Sequence, residues 1–183
     1  MTILNERATQ ILIIDIQERL INAAFNKSKI EKKAEILANA ASILGIPVIV
    51  TEQYPKGLGN TIQQIKDGLG ENAAYFEKTS FSALENPAIA SALDKSPRKQ
   101  IVIFGIETHI CVSQTATALI AKGYDVTVIS DASGSREESE HIAGLERIKE
   151  NGGHIITTEI ALFEWLKGAR HIKFKEIQNL IKQ

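Results

Sequence analysis

Short apolar runs rich in β-branched residues recur along the chain, among them Ile11-Leu12-Ile13-Ile14, Pro47-Val48-Ile49-Val50-Thr51, Ile101-Val102-Ile103-Phe104 and the segment 125–129, and helical patterns separate them. Apolarity that is continuous rather than alternating suits a strand covered on both faces, as in a parallel sheet. Two weaker strands are predicted over 73–77 and 154–157. The first helix is predicted over 29–44, where Ile30, Ala34, Leu37, Ala38, Ala41 and Leu44 fall at i, i+3, i+4 spacing before Gly45. Further helices are expected over 86–93, 114–121, 136–150, 159–167 and 172–182. Parallel neighbours need a crossover between them, usually helical, so the predicted fold is α/β: a three-layer α/β/α sandwich around a six-stranded, mostly parallel, Rossmann-like sheet. No repeat, low-complexity tract or linker interrupts the pattern. Residues 1–183 are therefore read as one domain, and 44% hydrophobic residues suffice for its core.

Charge narrows the partners. The 21 Lys and Arg residues and 22 Asp and Glu residues are scattered and leave a net charge of −1, so the chain lacks the basic stripe of a nucleic-acid or anionic-membrane binder. A small-molecule substrate is the expected partner. Apolar runs are too short to span a bilayer. A cytoplasmic location is expected, because one cysteine permits no internal disulfide and residues 1–7 lack the basic and long apolar regions of a signal peptide. No G-x-G-x-x-G follows the first strand, and neither a P-loop nor a G-x-S-x-G elbow occurs anywhere.

What remains is chemistry at strand ends. Asp15 closes the first strand, Lys78 follows the strand over 73–77, and Cys111 lies in the turn Gly105-Ile106-Glu107-Thr108-His109-Ile110-Cys111-Val112 after another. In open α/β sheets ligands bind outside the carboxyl ends of the strands. Thr108 is a plausible N-cap that sets Cys111 in a first helical turn, where unsatisfied N–H groups and the helix dipole favour a thiolate. Read alone, a free cysteine is better explained by packing. If the three strands are neighbours, Asp15 can take the thiol proton while Lys78 holds both anions and lowers the thiol pKa. Asp131 is a further polar residue at a strand end. The segment 52–60, with Pro55, Gly57 and Gly59, reads as a loop that turns Gln53 and Tyr54 toward a pocket closed also by Phe81. Among the histidines, which show no metal-ligand spacing, His141 and His171 are assigned to the surface and His109 either to the pocket or to solvent.

The set Ile13-Ile14-Asp15-Ile16-Gln17, Lys78 after a short strand and the turn from Gly105 to Val112 resembles the isochorismatase-like cysteine hydrolase superfamily, which includes nicotinamidases and N-carbamoylsarcosine amidohydrolases. The similarity covers nearly the whole chain. Residues 50–59 most resemble the isochorismatase-domain-containing subgroup. The resemblance implies a catalytic set of Cys111 as nucleophile on an amide-like carbonyl, Asp15 as base and later acid, and Lys78 as the orienting charge. It also implies a cis peptide at Ile106–Glu107, an oxyanion hole from the N–H groups of Glu107 and Cys111, Gln17, Gln53, Tyr54 and Phe81 around the substrate, with Gln17 as wall or brace, and Asp131 as a brace. A homo-oligomer, dimer or higher, is implied as well. Nicotinamidases carry a metal on an aspartate and histidines after the second strand, but residues 52–60 contain no histidine, so no metal or cofactor is expected. True isochorismatases lack the cysteine. Two alternatives stand beside the cysteine hydrolase: a non-catalytic or metabolite-binding scaffold with a vestigial site, and isochorismatase-type vinyl-ether hydrolysis.

Overall fold

The computed structural model describes residues 3–182. Six strands, β1 (Thr9–Ile14), β2 (Val48–Gln53), β3 (Ala73–Lys78), β4 (Gln100–Gly105), β5 (Asp125–Ile129) and β6 (His154–Ile156), form one sheet in the order β3-β2-β1-β4-β5-β6. Every neighbouring pair is parallel. The chain winds outward from β1 to β3 and then returns to place β4 on the other side of β1, so the β1/β4 crevice is the topological switch point where such sheets bind ligands.

Alternation along each strand feeds two cores. Ile11 and Ile13 of β1 pack with Ala34 and Leu37 of α1 (Lys27–Leu44), Leu162 and Trp165 of α7 (Thr158–Leu166) and Ile177 of α8 (Phe174–Ile181). Leu12 and Ile14 point the other way, toward Ile89 and Leu93 of α4 (Pro87–Asp94), Leu119 of α5 (Ser113–Ala121) and Ile148 of α6 (Glu138–Glu150). The result is the three-layer sandwich. Gly45 ends α1 at φ 64, the left-handed conformation that glycine adopts without penalty. Among the described residues, no helix is long and apolar enough to cross a membrane.

The structure differs from the sequence expectation around β2 and β3. β2 extends to Gln53, two residues past the predicted end, because Gln53 pairs in register with Lys78 of β3. Lys78 is thus the last residue of its strand rather than the first beyond it. The expected loop over 52–60 contains a helical turn, α2 (Pro55–Leu58), entered through Tyr54 at φ 38, and α3 (Gln63–Leu69) occupies a stretch for which the sequence suggested no element.

Gly105 closes β4 at φ 138, and a Cβ there would overlap the Ile14 carbonyl oxygen, which accepts the Ile106 N–H at 2.9 Å. Glycine is required because the backbones of β1 and β4 meet at this point. Gly105→Ala is expected to lower the unfolding free energy by more than about 2 kcal/mol in urea denaturation, from backbone strain together with the clash. An unchanged midpoint would show that the crossing relaxes freely.

Candidate active site

Asp15 leaves β1 at φ 50, a left-handed conformation that aspartate tolerates better than most residues. This bend turns its carboxylate back over the sheet end. Thr51 Oγ1 donates to Asp15 Oδ1 at 2.6 Å, and Lys78 Nζ donates to Oδ2 at 2.6 Å. Both charged side chains are fully buried.

Lys78 starts on β3, two strands from β1, so its ammonium must cross about 10 Å of sheet. The long lysine stem covers that distance over β2. There Gln53 Oε1 accepts from Nζ at 2.7 Å, while the carbonyls of Ser80 and Phe81 lie at 3.2 and 3.3 Å. Thr51 and Gln53 are two residues apart and therefore share one face of β2, where each binds one end of the ion pair. Gln53 Nε2 donates to Thr79 O at 2.8 Å, which fixes the other end of that amide. Gln17 is buried, and its amide bonds the backbone of Gln53 and of Gly59. Of the two places expected for Gln17, it occupies that of a brace under the pocket.

Cys111 approaches from β4. The Ile106–Glu107 peptide is cis. A wide π-type turn, Thr108–Val112, then carries the cysteine, with Glu107 O accepting from Ile110 N and Val112 N at 3.1 and 3.2 Å. Thr108 does not cap this turn as expected: its hydroxyl meets His141 Nδ1 at 2.8 Å. His141 is buried rather than on the surface, and burial, followed by the nearby Lys29, lowers its pKa. His109 turns to Ser135 Oγ at 2.9 Å, with its Nε2 3.6 Å from Glu140. A Cβ on Gly144 would come within 2.8 Å of His109 backbone atoms, so α6 is pressed against the turn.

The thiol is not activated in the way its position at a helix start suggests. Burial pushes it up to about 12, and the charge of Asp15 adds to that, while Lys78 pulls the other way without compensating. The expectation of a lowered pKa fails because desolvation of the thiolate outweighs the single ammonium, whose charge Asp15 already balances. The raised pKa favours the neutral thiol at rest.

Above it opens a cavity of about 310 Å³. Leu20, Leu58, Phe81 and Ile110 form apolar walls, with Tyr54, Gln53 and Glu107 as the polar lining. Leu20, Leu58 and Ile110 had no sequence signal, but Thr51 had one: a hydroxyl residue closing an apolar strand, two positions before a glutamine. Asp131 lies elsewhere. Its carboxylate accepts from Thr158 N and Oγ1 at 2.7 and 2.8 Å and braces the start of α7. His171 sits at the surface, partly exposed, with its Nε2 3.3 Å from Glu6. Among the described residues, no three His, Cys, Asp or Glu side chains are grouped to hold a metal ion.

Comparison with known proteins gives a consistent relationship. The Isochorismatase domain model matches residues 9–160. Isochorismatase domain-containing protein 1 of Danio rerio is 43% identical over 169 residues, covering 92% of this chain and 59% of that protein, so the chain spans about three-fifths of that relative's length. Isochorismatase domain-containing protein 2 of Xenopus laevis is 37% identical, covering 98% of this chain and 86% of its own. Among solved structures, the MAR1 ribonuclease of Caenorhabditis elegans superposes with a TM-score of 0.93 at 36% identity, covering all of this chain and 93% of the other.

The thiol pKa gives a test with opposite signs. Asp15→Asn removes the charge that disfavours the thiolate, so iodoacetamide should label Cys111 at pH 8 at least about tenfold faster than in the wild type, one unit of pKa being a factor of ten. Lys78→Met should slow it. Labelling of the wild type should keep rising through pH 10. A plateau near neutrality would place the thiol pKa far below the value that burial sets.

Proposed function

Because the chain belongs to the isochorismatase family, we propose that it is a metal-independent cysteine hydrolase acting on a small amide-like C–N substrate through a covalent acyl-enzyme. The observation that carries this reading is the meeting of Asp15, Lys78 and Cys111 at the ends of three strands, with Asp15 and Lys78 joined at 2.6 Å and both acting on the cysteine thiol.

In this reading the raised thiol pKa defines the order of events. Sγ attacks the carbonyl carbon as its proton passes to Asp15, so no free thiolate accumulates. The C=O π pair moves to oxygen, and the oxyanion is held by the N–H groups of Glu107 and Cys111, each such donor being worth about 2.7–4 kcal/mol of barrier. Asp15 gives its proton to the leaving nitrogen, the C–N bond breaks and a thioester remains. Water then attacks the thioester, Asp15 takes one of its protons, and collapse breaks the C–S bond, Sγ taking that proton back from Asp15 as the acid is released. Lys78 holds the carboxylate in place throughout and offsets the negative charge passing between sulfur and oxygen.

The vestigial-site reading draws on the same thiol pKa, since a resting thiol is a poor nucleophile. The adjacent carboxylate answers it, because a base in contact removes the need for a preformed thiolate. The name of the Caenorhabditis elegans relative raises RNA as a substrate class, which the same assay can include.

Intact-mass spectrometry of protein quenched during turnover of a panel of small amides should reveal an acyl adduct confined to Cys111. Cys111→Ser and Cys111→Ala should lose both adduct and turnover while retaining the fold by circular dichroism. Turnover retained in Cys111→Ala, or cleavage of RNA with no adduct, would overturn the thiol mechanism.

A further inference from the structure

Resting on the thiol-hydrolase reading for its chemistry, we infer that His141 is a positioning residue for that site and works in its neutral form: by holding Thr108 it fixes the turn that carries Cys111. Little of that turn is free to move. Thr108 is fully buried, and its N–H and its hydroxyl are claimed by different parts of the chain. The N–H donates to Gly134 O at 2.9 Å, and the hydroxyl meets His141 Nδ1 at 2.8 Å. The first of these bonds fixes the peptide plane between Glu107 and Thr108. The carbonyl of the same plane accepts from Ile110 N and Val112 N, on either side of Cys111. The aim of the thiol, and of the Glu107 and Cys111 N–H groups proposed for the oxyanion, therefore depends on where Thr108 is held.

The hold comes from α6. His141 and Gly144 lie three residues apart and so share one face of the helix. A Cβ on Gly144 would come within 2.9 Å of the Thr108 carbonyl carbon, so the helix backbone lies against the turn where the His141 ring reaches it. Among the described residues the Thr108 hydroxyl has no other partner, so its hydrogen is satisfied only when Nδ1 accepts it, which places the ring proton on Nε2. A second proton, on Nδ1, removes that acceptor and leaves a buried hydroxyl unpaired. Burial opposes this proton most, Lys29 of α1 adds to the opposition, and Glu138 of α6 works against both. Phe25 packs on the ring with centroids 5.8 Å apart. His109, the other histidine at the turn, faces Ser135 and Glu140 instead. The His141 ring is thus neutral at pH 7 and becomes charged only in acid, where the turn loses its hold.

Two readouts on the folded chain separate this role from the hydrolase reading. In nitrogen-15 nuclear magnetic resonance between about pH 4.5 and 8, the Glu107 and Cys111 amides should shift with the midpoint of the His141 ring, below its ordinary value of 6.5. In Thr108→Val the ring should still titrate while those amides stop following it. The second readout is acylation of Cys111 by 4-nitrophenyl acetate, followed by 4-nitrophenolate release and intact mass. At pH 7 His141→Leu should acylate at least about tenfold more slowly than the wild type, since misplacement by about 1 Å can cost a hundredfold. Thr108→Val cuts the same bond from its other end and should match that loss. His141→Asn, whose amide oxygen stands where Nδ1 stood, should recover the rate to within about threefold and lack the fall in acid that His141 imposes on the wild type. Amides at Glu107 and Cys111 that ignore the His141 titration, or equal acid profiles in the wild type and His141→Asn, would overturn the role of His141 and leave the thiol reaction standing. A wild type with no adduct on Cys111 would overturn the hydrolase reading, and the amide titration would still decide whether His141 holds the turn.

Discussion

The buried pairing of Lys78 with Asp15 is the interaction on which the rest of the site depends. Two charges removed from water are tolerated only when their remaining hydrogen-bonding capacity is filled, and removing one partner from such a pair typically costs about 3–5 kcal/mol. Thr51, Gln53 and the carbonyls of Ser80 and Phe81 supply that filling. The pair therefore ties together the ends of β1, β2 and β3 and the segment that follows β3. It also explains why an edge strand with half-exposed residues ends in a buried lysine: the strand's contribution to the site is a cation that reaches across its neighbour.

In the proposed mechanism the same pair sets the state of Cys111. Cys111 arrives on a turn held from behind by α6, through the His141 contact with Thr108 and the close approach at Gly144, and by Arg136, just before that helix, at Glu107. Because Lys78 is already balanced by Asp15, its charge does not make the thiol acidic, and burial decides the outcome. In the proposed mechanism the reactivity lies in the contact between a thiol and a carboxylate, and the substrate draws the proton across.

Much of this was legible in the sequence, for a physical reason. Strands buried on both faces must be continuously apolar, so Ile11–Ile14 and Ile101–Phe104 announced a parallel sheet, and a polar residue at the end of such a run stands out. Asp15, Lys78 and Cys111 were found that way. Sheet order was not legible, since nothing local indicates that β2 lies between Asp15 and Lys78. Thr51, which joins the cluster from that intervening strand, was accordingly passed over. His141 looked like one polar residue on a charged helix, and only tertiary packing buries it against Thr108. The direction of the thiol shift was misread for a related cause: a helix start is visible in sequence, whereas desolvation depends on everything packed around it.

The central claim is that the buried ion pair holds a neutral thiol until a substrate arrives. With one cysteine in the chain, the infrared S–H stretching band of the wild type, taken as a difference against Cys111→Ser at pH 7, reports that proton directly. The account predicts a distinct band, shifted by hydrogen bonding to the Asp15 carboxylate and present up to at least pH 9. A spectrum without an S–H band at pH 7 would mean that Cys111 rests as a thiolate paired with Lys78, which would contradict the account.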